Sequence, residues 1–491
     1  MLNRRTFLRT VSAGALGLAG APWLAGCGQT RGATDPRVKP NFVFILIDDM
    51  GWRDLACYGS PFYETPNIDR LAAQGMRFTD AYAACPVCSP TRASILTGKY
   101  PARLNLTDWI PGHKKPLAKL RVPEFNQQLP LDEVTIAEAL KPAGYVSASI
   151  GKWHLGGPAF WPQKQGFAVN FGGTNQGQPP SYFAPYKIPN IRTAADGEYL
   201  TDRLADEATR FIERNKGRPF FLYLAHYAVH TPLMAREQTI ARYKAKVKSG
   251  QPQKNATYAA MVESVDDSVG RVMAKLDELG LARRTVVFFM SDNGGLIGPT
   301  SNVPLRAGKG SLYEGGIREP LIVRWPGVVP AGVTEDAVVT SVDFFPTILA
   351  LAGAAPAAPD PNLDGVSLVA LLTRQGQFAP GPIYWHYPHY HPGGATPGGA
   401  IRDGDYKLIE FFEDDHVELY NLKDDLSETK DLAAEKPEMA ARLRKKLADW
   451  RLKVNARMPT PNPDYDPTTP PKWAARDTPR RLADAGVLFE E

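Results

Sequence analysis

The segment Asn41-Phe-Val-Phe-Ile-Leu-Ile-Asp-Asp49 is an unbroken apolar run that ends in two acids. Apolar runs of this length, without polar alternation, are typical of strands buried on both faces of a parallel sheet. In open α/β sheets the ligand site lies beyond the carboxyl ends of the strands. We therefore predict a buried strand over residues 41–47, with Asp48 and Asp49 at the edge of the sheet that carries the functional site.

Three later apolar runs also have strand length, and a helical segment precedes each of them. The runs are Tyr145–Ile150, Pro219–Ala225 and Arg284–Met290, and the helices are at 135–141, about 199–216 and about 255–280. Strands that alternate with helices indicate an α/β fold. We expect a large doubly wound mixed sheet flanked by helices, with the polar residues that follow each run gathered at one edge.

The sequence changes character after residue 355, where Ala354–Pro361 forms a linker rich in Pro and Ala. The segments beyond it that have the pattern of short strands and of one amphipathic helix are Ile383–Tyr387, Asp405–Phe412, Val417–Leu422 and Pro437–Val454. They predict a smaller C-terminal α+β subdomain with an antiparallel sheet. The predicted organisation is a leader at 1–27, a linker at 28–40, the large α/β domain at 41–355, the subdomain at 356–457 and a Pro-rich tail at 458–491.

The leader has the pattern of a targeting segment. Arg4-Arg-Thr-Phe-Leu-Arg9 resembles a twin-arginine export signal, and Val11–Ala25 is too short and too interrupted to span a bilayer. Leu24-Ala-Gly-Cys27 resembles a bacterial lipoprotein cleavage box, after which Cys27 would carry a lipid; ordinary signal-peptidase cleavage nearby is the alternative. We expect export by the Tat machinery to the periplasm or cell surface, with a lipid anchor at Cys27 as the sole membrane attachment.

The charge and the cysteines exclude some classes of protein. The formal net charge is +5, and three of these positive charges are arginines of the leader, so the remainder carries only about +2. This balance does not indicate nucleic acid as a partner. If Cys27 is lipidated and Cys88 has a special role, only Cys57 and Cys85 remain, and they could pair in an oxidising compartment or stay free.

The second informative segment is Cys88-Ser-Pro-Thr-Arg-Ala-Ser-Ile-Leu-Thr-Gly98. Ser89 is a favourable N-cap, Pro90 suits the first helical position, and Gly98 suits a helix end. Cys88 is therefore expected just before a helix N-terminus, where free N–H groups favour negative charge. With Arg92 one turn away, this arrangement suits the processing of an anion; a buried thiol without function is the alternative.

The polar residues at two strand ends form an all-oxygen donor set: Asp48, Asp49, Asp292 and Asn293. Oxygen donors without His or Cys favour Ca²⁺ or Mg²⁺ over zinc. Carboxylates close together repel one another unless a cation neutralises them. The alternative is a pair of solvated turns, since Asn-Gly and Asp-rich loops are common turn sequences.

The Cys-x-Pro-x-Arg pattern at Cys88, followed by Leu-Thr-Gly98, resembles the signature of the type I, formylglycine-dependent sulfatases. These are arylsulfatase-like members of the alkaline phosphatase superfamily. The resemblance implies an alkaline-phosphatase-like fold and oxidation of Cys88 to formylglycine by a maturation enzyme. It also implies Ca²⁺, rather than Mg²⁺, bound by Asp48, Asp49, Asp292 and Asn293, with residue 88 as a further ligand.

The remaining candidate residues follow from the same resemblance, because each would otherwise be an ordinary surface or core residue. Lys152 and His154, in Gly151-Lys-Trp-His-Leu-Gly156, alternate at a strand end and correspond to residues that contact the sulfate and the modified residue. His230 corresponds to the histidine that protonates the leaving group, with His226 as the alternative. Lys309, between two glycines, corresponds to a substrate lysine, and Arg92 would stabilise sulfuryl charge.

The implied activity is that of a sulfuric ester hydrolase, a sulfatase that acts on sulfate monoesters of carbohydrates. In the family's mechanism the hydrated formylglycine attacks sulfur, His230 releases the alcohol, and His154 assists the elimination of sulfate. A phosphomonoester or phosphonate hydrolase of the same superfamily is one alternative, and a catalytically silent glycan-binding lipoprotein is another. The stretch Trp385-His-Tyr-Pro-His-Tyr-His391 could line the substrate pocket or be structural.

Changing Arg4 and Arg5 together to lysine is expected to leave the protein in the cytoplasm, because lysine lacks the planar guanidinium of arginine. Immunoblots of cytoplasmic, periplasmic and membrane fractions measure this. Arg9→Lys is the matched control and should still be exported. Normal export of the double variant would contradict the twin-arginine interpretation.

Overall fold

A computed structural model of the chain describes residues 39–354 and 361–468. The predicted leader with Cys27, most of the linker and the end of the Pro-rich tail lie outside these residues. The predicted boundary between the two domains falls within the undescribed residues 355–360 and stays a prediction. In the two described stretches, none of the helices has both the length and the apolar character that crossing a membrane requires.

The strands are β1 (Asn41–Ile47), β2 (Met76–Tyr82), β3 (Leu120–Arg121), β4 (Val146–Gly151), β5 (Val169–Phe171), β6 (Phe220–Ala225), β7 (Thr285–Ser291), β8 (Arg318–Arg324), β9 (Val333–Glu335), β10 (Val339–Thr340), β11 (Ile383–Tyr387), β12 (Gly398–Asp403), β13 (Tyr406–Phe411), β14 (Val417–Asn421) and β15 (Thr460–Pro461). The α-helices are α1 (Pro66–Ala73), α2 (Cys88–Thr97), α3 (Pro101–Leu104), α4 (Ile136–Leu140), α5 (Leu200–Arg214), α6 (Glu237–Lys244), α7 (Ala256–Glu278), α8 (Glu314–Ile317), α9 (Phe344–Ala352), α10 (Val369–Thr373) and α11 (Pro437–Lys453).

The large sheet has nine strands in the described residues, in the order β10-β2-β8-β7-β1-β6-β4-β5, with β9 paired to β2. β1 lies at the centre, and its neighbours β6 and β7 run parallel to it. β8 is antiparallel to both β7 and β2, so the sheet is mixed. The predicted large doubly wound mixed sheet is confirmed, and the predicted strands before residue 300 agree with β1, β4, β6 and β7 within one or two residues.

The apolar run of β1 is buried on both faces, as predicted. Val43, Ile45 and Ile47 belong to one core cluster, which includes residues of α1, α5, α6 and α7. The alternate residues of β1, Phe42, Phe44 and Leu46, belong to the opposite cluster with residues of α2, α4, α9 and α10. Helices on both faces thus remove every side chain of β1 from water, which explains why residues 42–47 are all apolar. The one polar residue of the strand, Asn41, donates from Nδ2 to Thr285 Oγ1 at 3.2 Å.

The C-terminal sheet is a four-stranded antiparallel meander in the order β11-β12-β13-β14, and α11 packs on one face of it. Three of its strands were predicted, but β12 was not. β12 begins with Gly398 and Gly399, which have low strand propensity, and its pairing with β11 and β13 outweighs that preference. The tail after residue 458 adds β15, which pairs with β3 of the large domain.

A buried ion network joins the C-terminal sheet to the large domain. The ammonium of Lys407, on β13, lies 2.8 Å from Glu314 Oε1 and 2.9 Å from Glu428 Oε1, and all three side chains are fully buried. Arg402, on β12, pairs with Asp80 of β2 at 2.7 Å. Buried charges require partners, so this network fixes the position of the C-terminal sheet against the large one.

Lys407→Met is expected to lower the free energy of unfolding by about 3–5 kcal/mol, because it leaves the buried carboxylate of Glu428 without a cation and that of Glu314 with Arg318 alone. Denaturant titration followed by circular dichroism measures the loss. The control is Lys430→Met, at a pair in which both side chains are more than half exposed, where the loss should be below about 1 kcal/mol. Equal losses in the two variants would show that the buried network does not stabilise the contact.

Candidate active site

Four parallel strands place polar residues at one edge of the large sheet. Asp48 and Asp49 follow β1, Lys152 and His154 follow β4, and Asp292 and Asn293 follow β7. His226 and the segment that leads to His230 follow β6. Because neighbouring parallel strands end on the same side, all four strand ends meet, as predicted from the sequence.

Helix α2 contributes Cys88 and Arg92, but it begins earlier than predicted. Val87 has the extended backbone of an N-cap, and Cys88 is the first helical residue rather than the residue before the helix. Ser89 is not the N-cap; its Oγ instead accepts a hydrogen bond from the Ile110 N–H at 3.2 Å. Pro90 is tolerated at the third helical position, since the first four N–H groups of a helix have no partner within it. Gly98 ends the helix in the left-handed conformation, as predicted.

Arg92 lies at the centre of a fully buried ion cluster. Its guanidinium nitrogens Nε and Nη2 lie 2.8 and 2.7 Å from Asp292 Oδ2, and Nη1 donates to the Lys152 carbonyl at 3.1 Å. The Lys152 ammonium in turn lies 2.7 Å from Asp48 Oδ2. The cluster therefore ties α2, β1, β4 and β7 together beneath the thiol of Cys88.

A second cluster lies beside it around Asp49, a residue with a left-handed backbone (φ 61°). The Lys309 ammonium lies 2.7 and 2.8 Å from the two oxygens of this carboxylate, and Asn293 Nδ2 donates to Oδ1 at 2.8 Å. Lys309 Nζ is also 3.0 Å from His230 Nε2. The His230 Nδ1–H donates to the carbonyl of Thr231 at 2.8 Å, which leaves Nε2 as the acceptor for Lys309.

His154 faces the thiol directly. Its Nδ1 is 3.3 Å from Cys88 Sγ, and its Nε2 is 2.5 Å from the carbonyl oxygen of Ile110. The carbonyl can only accept, so Nε2 carries the hydrogen and Nδ1 is the acceptor that faces residue 88. His154 is thereby positioned to take a proton from whatever group occupies position 88.

Burial and neighbouring cations shift the pKa values in the site. Burial, followed by Lys152, lowers the pKa of His154 well below its usual range. Burial and then Lys309 lower the pKa of His230 to about 3. Burial opposes ionisation of Asp49, but Lys309 and His230 outweigh it and hold the pKa of this carboxyl below its ordinary value. Both histidines are therefore neutral, and Asp49 is ionised.

The residues of the site also fit a divalent cation. One ligand atom each from Asp48, Cys88 and Asp292 lie within 4.8 Å of one another, and the same holds for Asp48, Asp49 and His230. Among the described residues, Asp48 Oδ1 and Asn293 Oδ1 are buried without a hydrogen-bond donor. Burial raises the pKa of Asp48 well above its usual range, and Lys152 only partly offsets this. A bound cation would satisfy both oxygens and hold Asp48 ionised.

His226, the alternative to His230 as the histidine that protonates the leaving group, faces away from this site. Its Nε2 lies 3.0 Å from Ser268 Oγ, on α7, and the side chain is fully buried.

Two other features of the sequence are structural. Cys57 and Cys85 are free thiols and form no disulfide with each other. The stretch Trp385–His391 is mainly structural, with Tyr387 Oη donating to Asp108 Oδ1 at 2.9 Å, although its last residue reaches the site.

Sequence reasoning missed two residues that position the site. The carboxylate of Asp54 accepts hydrogen bonds from the Gly51 N–H at 2.9 Å and from Tyr258 Oη at 2.6 Å, which fixes the loop after β1. The hydroxyl of Tyr182 lies 2.8 Å from the carbonyl oxygen of His230 and holds the segment that carries this residue. No local pattern marks either residue, because Tyr258, which fixes Asp54, and His230, which Tyr182 contacts, are distant from them in sequence.

A divalent cation is expected to raise the Tm of chelator-treated protein, because it binds only the folded state. Asp48→Asn should abolish this rise, since it removes negative charge from the donor set. Differential scanning fluorimetry with and without added cation measures both. Glu435→Gln, which changes an exposed carboxylate of the C-terminal part, is the control and should keep the rise. An unchanged rise in Asp48→Asn would contradict the donor set.

Comparisons with known proteins agree with this arrangement. The sulfatase family model matches residues 40–354, and a second model, N-sulphoglucosamine sulphohydrolase, C-terminal, matches residues 308–453. A sulfatase of Formosa agariphila is 36% identical, over 90% of this chain and 93% of its own length. N-acetylgalactosamine-6-sulfatase of Homo sapiens is 38% identical, over 72% of this chain and 70% of its own.

The fold comparison gives the same result. The crystal structure of Ps i-CgsB in complex with k-i-k-neocarrahexaose matches with a TM-score of 0.72 and 31% identity, over 91% of this chain and 99% of that chain. The family model covers more than half of the chain, and the relatives match it over most of their length. The chain belongs to the sulfatase family, the type I sulfatases of the alkaline phosphatase superfamily, and is a sulfuric ester hydrolase.

Proposed function

We propose that this protein is a carbohydrate sulfatase that hydrolyses sulfate monoesters with formylglycine made from Cys88 and with a bound Ca²⁺. The observation that carries the proposal is the convergence on Cys88 Sγ of His154 Nδ1, at 3.3 Å, and of the carboxylates of Asp48 and Asp292. The precursor of the nucleophile, a proton acceptor and a set of cation ligands thus lie together at one edge of the large sheet. The family match supports the same chemistry.

The relatives support a carbohydrate as the substrate. One of them is named for a sulfated amino sugar, N-acetylgalactosamine 6-sulfate, and another was crystallised with neocarrahexaose. Both align with most of this chain. The alternatives of a phosphoester hydrolase and of a silent binding protein are not favoured, because the relatives are sulfatases and every candidate position of the site is filled.

Three cationic side chains are available to bind the sulfuryl oxygens: Arg92, Lys152 and Lys309. Arg92 and Lys152 are fixed by buried carboxylates, so they need little rearrangement when charge develops on the substrate. Lys309 is 10% exposed and reaches the surface side of the site, where an ester would enter. When present, formylglycine supplies a hydroxyl nucleophile in its hydrated form.

Proton transfer is divided between the two histidines. His154 accepts at Nδ1 from residue 88, because its Nε2–H is committed to the Ile110 carbonyl. The proton for the leaving oxygen comes from the pair of His230 and Lys309, whose Nε2 and Nζ atoms are 3.0 Å apart. Burial lowers the pKa of His230, whereas Asp49 outweighs burial and raises the pKa of Lys309, so the proton of this pair rests on Lys309. His230 must therefore gain a proton at Nε2 before it acts as general acid, and a ligand anion in place of Asp49 at Lys309 would favour that change.

The proposed calcium ligands are Asp48, Asp49, Asp292, Asn293 and residue 88. This set consists almost wholly of protein oxygens, which suits Ca²⁺ better than Mg²⁺, since Mg²⁺ tends to keep several water ligands. A bound cation lowers the pKa of a coordinated hydroxyl and polarises sulfuryl oxygen. The proposal extends to maturation of Cys88 by a formylglycine-generating enzyme, to Tat export, and to tethering at the periplasmic or outer surface through lipidated Cys27.

Cys88→Ala is expected to abolish hydrolysis of 4-nitrophenyl sulfate and of sulfated sugars, because no nucleophile remains, while the Tm stays near that of the parent protein. Cys57→Ala is the matched control and should keep activity. Mass spectrometry of the peptide that contains residue 88 should show an aldehyde in active protein. Turnover by protein with an unmodified thiol at this position would contradict the proposal.

A further inference from the structure

The ring of His154 is oriented by a short loop, residues 107–112. Its Nε2–H donates to the carbonyl of Ile110 at 2.5 Å, and its Nδ1 lies 3.3 Å from Cys88 Sγ. Either nitrogen of a neutral imidazole can carry the hydrogen, and the partner of one nitrogen decides which of them does. If the Ile110 carbonyl were displaced, the ring would lose its acceptor and the contact that directs Nδ1 at residue 88.

Helix α2 holds this loop from one side. The Ile110 N–H donates to Ser89 Oγ at 3.2 Å, so both polar groups of the Ile110 backbone have a partner. Ser89 is fully buried and directly follows Cys88. The residue that orients His154 is therefore tied to the helix that carries the reactive position.

The C-terminal sheet holds the loop from the other side. Tyr387, the last residue of β11, donates from Oη to Asp108 Oδ1 at 2.9 Å. The Trp109 N–H donates to the same oxygen at 2.9 Å, so Asp108 joins the sheet to the backbone one residue before Ile110. A second contact joins Thr107 Oγ1 and His389 Nε2, which are 2.8 Å apart.

These contacts are shielded from water. Tyr387, Asp108 and His389 are almost completely buried. β11 is itself held in place, because Trp385 Nε1 donates to the Ala83 carbonyl at 2.8 Å and β12 pairs along the strand. Water does not replace a lost partner at such positions, so removal of one hydroxyl leaves a buried acceptor short of a donor.

On the basis of the proposed sulfatase activity, we propose that Tyr387, together with His389, positions His154 for proton transfer at residue 88. Tyr387 acts through Asp108 and the Ile110 carbonyl, which keep the hydrogen of His154 on Nε2 and leave Nδ1 to accept from residue 88. Small displacements of a reacting group have large effects on rate. The C-terminal sheet is therefore a part of the apparatus for proton transfer, and its contribution passes through the loop.

The first measurement follows the Nε2–H of His154 by NMR, in protein that contains isotope-labelled histidine and the unmodified thiol of Cys88. A hydrogen held against a carbonyl oxygen at 2.5 Å gives a downfield resonance that exchanges slowly with water, and its absence in His154→Gln assigns it. Tyr387→Phe is expected to move this resonance upfield and to speed its exchange, because the carbonyl loses its support. The result does not depend on formylglycine or on turnover.

The second measurement is the steady-state kinetics of matured enzyme with 4-nitrophenyl sulfate. His154 serves the release of sulfate, which follows the departure of 4-nitrophenol. In Tyr387→Phe, kcat should therefore fall by roughly tenfold, while kcat/KM stays within about twofold of the parent value. The reason is that kcat/KM reports only the steps up to the first product, whereas a general loss of structure lowers both constants.

Tyr145→Phe is the matched control. The hydroxyl of Tyr145 is buried and donates to the Pro40 carbonyl at 2.8 Å, before the start of β1 and thus at the end of the sheet opposite the site. This variant should leave the His154 resonance and both kinetic constants unchanged, and thermal unfolding checks that each variant folds. Should Tyr387→Phe fail to fold, Thr107→Val breaks the other hydrogen bond between the loop and the sheet and should move the same resonance.

An unchanged His154 resonance in the folded variants would overturn the proposal, and so would equal losses of kcat and kcat/KM in Tyr387→Phe. Failure of matured parent enzyme to hydrolyse 4-nitrophenyl sulfate would instead contradict the proposed function. The NMR measurement would then still decide whether the C-terminal sheet orients His154.

Discussion

Carboxylates that are removed from water need cationic partners, and this need positions most of the site. Asp48 and Asp292 are fully buried at the ends of adjacent strands, and their partners Lys152 and Arg92 come from β4 and α2. An unpaired charge at such depth would cost several kcal/mol, so the four elements must meet in one register. Cys88, one turn before Arg92, is thereby held above the cluster. The ion pairs of Arg92 with Asp292 and of Lys152 with Asp48 therefore determine where Cys88 lies.

The charge balance explains what a metal would add. At the sequence level we expected a cation to be required because three carboxylates would repel one another. In the structure, each of the three carboxylates has a cationic partner: Asp48 pairs with Lys152, Asp49 with Lys309 and Asp292 with Arg92. Side chains of the protein therefore already offset the repulsion between the carboxylates. A divalent cation would therefore give the site an excess of about two positive charges. This excess suits an anionic ester, and the oxygens of Asp48 and Asn293 that lack donors would receive a partner.

The parts of the fold that could be predicted are those in which one stretch of sequence determines its own environment. The apolar run of β1 requires burial on both faces, and polar residues after parallel strands must meet at one edge. β8 and β12 could not be predicted in this way. β8 contains Arg318 and Glu319 beside its apolar residues, and β12 opens on two glycines, so pairing with neighbours decides both. The N-cap of α2 was misassigned because Ser89 bonds instead to Ile110, a partner absent from local sequence.

The contribution of the C-terminal sheet to the site follows from the same physics. Its position depends on Lys407, Arg402 and their buried acids, which fix the sheet as a rigid unit against the large domain. A residue on a fixed sheet, such as Tyr387, can hold the loop that faces His154 in one position, whereas a residue on a free loop could not. The reaction centre is built from the strand ends of one sheet, and the loop that orients His154 is held by a strand of the other. A change at this contact would therefore alter the orientation of His154 without disturbing the ion pairs that hold the reactive residue.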